Sequence, residues 1–102
     1  MAILDITADQ LREVCRDVYA PTDYRDAPRE IYLDHWEASP PTTFLRVSFP
    51  ERFTEKALQR LSRLRKALVK RHNECANVVV CIYLRDIDPM DMARHSIMMR
   101  DR

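Results

Sequence analysis

The chain has no glycine among its 102 residues, where average usage near 7% would supply about seven. Glycine reaches φ > 0 without a Cβ clash and lets the backbone approach a ligand closely. Its absence excludes the phosphate-cradling P-loop, the GxGxxG dinucleotide fingerprint, the GxSxG nucleophile elbow and the glycine-rich kinase loop. Every turn and helix end must be built from Pro, Asn, Asp, Ser and Thr instead.

A chain of this length is expected to form a single domain, residues 1–102, with one modest core. An apolar share of 46% beside a charged share of 32% fits a soluble globular class. The opening Met1-Ala2-Ile3-Leu4-Asp5 has an acid where a signal peptide carries Lys or Arg, and no apolar run approaches the roughly 18 residues that cross a bilayer. Cys15, Cys75 and Cys81 are an odd set with no CxxC pair, the pattern of reduced, buried thiols. These features predict a cytoplasmic protein.

The net charge of +1 conceals a strong asymmetry. Residues 52–72 hold eight Lys/Arg against the single acid Glu55, a local charge of +7. Residues 1–37 hold nine acids and four bases. Such a chain neutralises itself internally, associates head to tail, or meets an acidic partner.

Thr7-Ala8-Asp9-Gln10 has the form of a capping box. Leu11, Val14, Cys15 and Val18 follow at helical spacing, so a helix of about three turns is predicted, stopped near Pro21. Residues 30–37 and 43–49 read as strands joined by a wide, proline-containing loop. Leu45, Val47 and Phe49 alternate there with Phe44, Arg46 and Ser48. A long amphipathic helix is predicted over 51–73, with Pro50 at its first position, Ser48 or Thr54 as its cap, and Asn73 or Asn77 ending it through αL backbone. The apolar run Val78–Leu84 predicts a central strand covered on both faces. Asp88-Pro89 opens a predicted C-terminal helix over 89–102, which docks on a partner or frays.

The expected fold is therefore α+β, in the order α-β-β-α-β-α: a three-stranded mixed sheet with the long helix packed on one face. KH-like nucleic-acid modules share this order, but their GxxG loop cannot exist here and no family is assigned.

No catalytic constellation emerges. His72, Cys75 and Cys81 lack the close ligand pairs typical of tetrahedral zinc, and no oriented base or oxyanion hole accompanies a cysteine. Asp86, Asp88 and Asp91 resemble the acid clusters that bind magnesium. Without a lysine-bearing phosphate loop they read as a helix cap and dipole complement. A metal-dependent hydrolase is the weakest alternative. Neither cofactor nor small-molecule substrate is expected.

Three surfaces suit macromolecular contact. A basic stripe of Arg52, Lys56, Arg60, Arg63, Lys66 and Lys70 runs along about 27 Å of helix at 1.5 Å per residue, a match for an anionic partner or a solvated face. The sheet's outer face gathers Tyr32, Trp36, Phe44, Arg46 and Tyr83, which could stack bases or lie beneath the first helix or a second subunit. The C-terminal segment offers Met92 and Met99 on one side, the adaptable residue of protein-binding surfaces. Together these predict a small non-enzymatic interaction protein, a regulator, adaptor or inhibitor of the kind phages and other mobile elements encode. It would act by protein contact as a homodimer, with no membrane association. The alternative is nucleic-acid binding through the basic face of the 51–73 helix.

Overall fold

A computed structural model describes residues 3–19, 24–37, 39–87 and 96–100. Helix α1 spans Ala8–Tyr19 and opens on the capping box foreseen: Thr7 N donates to Gln10 Oε1 (2.9 Å) and Gln10 N to Thr7 Oγ1 (3.1 Å). Leu11 and Val14 are buried, with Cys15 and Val18 packed partly against the core. A short 3-10 turn, Tyr24–Asp26, leads into β1 (Glu30–Trp36) and antiparallel β2 (Thr42–Ser48). Their connection contains a cis Ser39–Pro40 bond.

Helix α2 spans Glu55–His72, shorter at its start than expected. Pro50 is not its first residue. Thr54 is the N-cap, its Oγ1 accepting from Ala57 N (3.1 Å) while its hydroxyl donates to buried Asp26 (3.2 Å). That second bond ties the cap to the 3-10 turn and sets where the helix begins. At the far end Asn73 is the C-cap, but with extended backbone (φ −161°, ψ 102°), not αL. Its Oδ1 accepts from Cys75 N and its Nδ2 donates to Ile3 O. Side-chain amide bonds thus replace the left-handed turn that glycine would provide. Among the described residues none has positive φ.

Strand β3 (Val78–Tyr83) runs parallel to β2, and β4 (Ser96–Arg100) pairs antiparallel with β1. The sheet order is β3-β2-β1-β4, which corrects two expectations. β3 is an edge strand, not a central one, and Val79 (41% exposed) and Ile82 (37%) show it. Residues 96–100 form a strand, where helical spacing of Met90, Ala93 and Ile97 had suggested a helix. The physical reason is pairing: β1, buried along Ile31–Asp34, would otherwise bury one row of unpaired amides and carbonyls. Residues 88–95, with Met92, lie outside those described.

The result is a small α+β domain of two helices on a mixed sheet. Leu11, Val14, Ile31, Leu33, Leu45, Val47, Leu61, Leu64 and Leu68 share one core cluster, so both helices pack on the same face. Leu4 and Ile6, preceding α1, complete that cluster, and Leu4 N donates to Thr43 Oγ1 (2.8 Å).

Candidate functional site

α2 distributes its cations between two tasks. Arg60 Nη1 donates to Val18 O (3.1 Å) and Arg71 Nη1 meets Asp17 (2.7 Å), so these two bind α2 to α1. Arg65 Nε donates to Val78 O (2.8 Å), binding α2 to the start of β3. Lys56, Arg63, Lys66 and Lys70 are exposed. They make no hydrogen bond or ion pair with the described residues. At 100° per residue these four fall within an 80° arc spanning about 21 Å. Arg60 therefore leaves the predicted stripe as a structural residue, and Arg52, also exposed, precedes the helix. Internal neutralisation of α2 by the acidic amino-terminal region is confined, among the described residues, to the Arg71–Asp17 pair.

The outer sheet face is largely occupied by its own chemistry. Tyr32 is wholly buried, packed with Ile87 and Tyr83, and its hydroxyl donates to Glu30 Oε2 (2.9 Å). Arg46 directs Nε (3.1 Å) and Nη2 (2.9 Å) at Asp34 Oδ2, donates from Nη1 to the Tyr83 hydroxyl, and lies 5.3 Å above the Phe44 ring. Burial works against the Arg46 cation, but Asp34 and Tyr83 outweigh it and hold its pKa above the ordinary value. Trp36 meets Phe44 edge to face at 6.5 Å and stays 54% exposed. α1 does not cover this face, because it shares the opposite side with α2. The described cover is Ile87, from the segment after β3. Of the five side chains expected to form a platform, Trp36 and Phe44 remain at the surface, while Tyr32, Arg46 and Tyr83 build the fold. Met99, in β4, pairs in register with Ile31.

The surface that sequence reasoning missed is the outer edge of β3, which pairs with no strand among the described residues. Asn77 O accepts from Thr43 N and Tyr83 O from Phe49 N, so odd-numbered residues of β3 direct their backbone at β2. By the alternation of a parallel ladder, Val78, Val80 and Ile82 direct theirs outward. Arg65 takes the carbonyl of Val78, and the outward backbone groups of Val80 and Ile82 have no partner among the described residues. Beside this edge runs one flank of α2, on which Leu58, Ser62, Arg65 and Val69 recur at helical spacing. Leu58 is 49% exposed, and Leu84, just past the strand, 66%. β3 contains no charge and no proline, the devices that normally protect an edge. The available signal was the order of elements: β1 already occupies one side of β2, so β3 on its other side is outermost unless a later strand pairs with it.

Cys75 is exposed, and Cys15 and Cys81 are half-buried, so the expectation of three buried thiols does not hold. Cys75 lies in the turn between α2 and β3, where its N–H donates to Asn73 Oδ1. Asp86 pairs with Arg29 (3.3 Å), while Asp88 and Asp91 lie outside the described residues. Among the described residues no three His, Cys, Asp or Glu side chains gather to hold a metal ion, and no helix is long and apolar enough to cross a membrane. Comparison with protein-family models, with curated proteins and with solved structures finds no match for this chain.

Proposed function

We propose that this chain is a small, non-enzymatic, cytoplasmic interaction protein, a regulator, adaptor or inhibitor that acts by protein–protein contact and assembles as a homodimer. The observation that carries this reading is the outer edge of β3, on which no strand is paired among the described residues. An apolar strand with outward amides and carbonyls at Val80 and Ile82 is a template for another strand. Adding a strand there satisfies backbone groups and buries Leu58 and Ile82 together.

A second copy fits the edge well. Most soluble oligomers are twofold dimers, in which one patch meets itself. β3 is uncharged over Val78–Tyr83, so antiparallel self-pairing sets no like charges opposite each other. A twofold axis perpendicular to the sheet would extend it through β3 of both copies and bring the two α2 flanks together, with Ser62 small enough for close approach.

Sedimentation velocity at micromolar concentration tests this. The wild type is expected at twice its 12.1 kDa chain mass. Ile82→Lys, which sets a charge on the edge, is expected to sediment as a monomer with unchanged far-UV circular dichroism. A wild-type monomer that also recovers no protein in a pull-down would refute the reading.

A further inference from the structure

The α2 cations that make no hydrogen bond or ion pair with the described residues have a chemistry of their own. The helix carries seven Lys/Arg and one acid. Three of the arginines are consumed by Val18 O, Asp17 and Val78 O. Lys56, Arg63, Lys66 and Lys70 instead form a single solvent-facing row. We propose that this row binds the phosphodiester backbone of nucleic acid without reading its sequence, a function beyond the protein-contact role and independent of it.

The composition of the row selects this partner. Protein interfaces are anchored by Trp, Tyr and Arg and are depleted in Lys, whereas this row is three lysines and one arginine with the polar Gln59 among them and no aromatic residue. A membrane-surface helix needs a free apolar face, but Ala57, Leu61, Leu64 and Leu68 spend that face in the core. What remains is a straight positive line about 21 Å long at 1.5 Å per residue, suited to a regular polyanion. Glu55, in the first turn, is the one acid of α2, and Glu51 just before it lies 3.9 Å from Arg29. No side chain of the row donates a planar pair of bonds next to an aromatic stacker, so base recognition is not expected.

The test is fluorescence anisotropy with DNA and RNA duplexes of roughly 20 base pairs, each in two unrelated sequences, in salt from about 50 to 200 mM. Neutralising four phosphates gives a log–log salt slope near −3.6, so affinity should fall on the order of 100-fold across that range. Sequence should not matter, and a preference for one duplex type identifies the natural source. Arg63→Gln with Lys66→Gln should halve the slope, reducing the fall to about 10-fold; Lys56→Gln with Lys70→Gln is the replicate should the first pair disturb folding. Arg60→Gln, which touches Val18 instead, should leave the slope unchanged, and the edge variant Ile82→Lys should keep it, which separates this site from dimerisation. The proposal is overturned by no binding at the lowest salt, by salt-insensitive binding, by double variants that match the wild type, or by a polyglutamate peptide that binds more tightly than either duplex.

Discussion

Replacing Asp34 by alanine isolates the polar cluster on the outer sheet face. Asp34 Oδ2 receives two hydrogen bonds from Arg46, at 3.1 and 2.9 Å, and the two side chains are 11% and 24% exposed. Without the carboxylate, the guanidinium of a side chain sheltered over about three-quarters of its surface keeps only the Tyr83 hydroxyl and the Phe44 ring. Breaking a fully buried pair costs about 3–5 kcal/mol and an exposed pair contributes about 0–1, so this mostly sheltered one should cost about 2–3 kcal/mol. With a urea dependence of about 1.5 kcal/mol per molar, the unfolding midpoint should fall by about 1.3–2 M. Trp36 is the single tryptophan and sits against Phe44, so its emission reports both the unfolding and any local release of Arg46. The double variant Asp34→Ala with Arg46→Met should be more stable than Asp34→Ala alone, because it removes the stranded charge. A cost for Asp34→Ala below about 0.5 kcal/mol, or full additivity of the two changes, would refute the argument.

Two further outcomes test the helix positions. Thr54→Ala removes the α2 cap and the hydroxyl that donates to buried Asp26, so a loss of about 1–2 kcal/mol is expected in thermal unfolding, a drop of several degrees. Asp17→Asn breaks the Arg71 pair between the helices, but its side chains are 54% and 44% exposed; the loss should stay below about 0.5 kcal/mol and vanish at high salt.

The local grammar of the chain was open to reading. The Thr7–Gln10 capping box, the apolar line Leu11–Val14, the alternation of β2 and the amphipathic face of α2 each follow from neighbours three or four residues apart, or two in a strand. Such patterns are set by backbone geometry that any segment carries with it. The β2–α2–β3 crossover was legible for the same reason: a long helix between two strands leaves them parallel. The basic line was visible as a face, although which of its members the fold would consume was not. Arg60 and Arg65 look like their neighbours in sequence, and only the positions of Val18 O and Val78 O set them apart.

The rest belonged to tertiary structure because it depends on partners far along the chain. A run such as Val78–Leu84 has the same composition whether one strand or two lie beside it, so its place at the edge was decided by β1 pairing with β4 on the opposite side. That same demand for backbone partners drew residues 96–100 into a strand against their helical spacing. Tyr32 and Arg46, alternating on a strand as surface residues would, stay on the outer face but are engaged there, Tyr32 by Ile87 and Arg46 by Asp34. Glycine's absence, by contrast, bore on the fold from the outset: without it the usual left-handed end of a helix carries a steric penalty, and α2 ends instead at Asn73, whose side-chain amide bonds Cys75 N and Ile3 O.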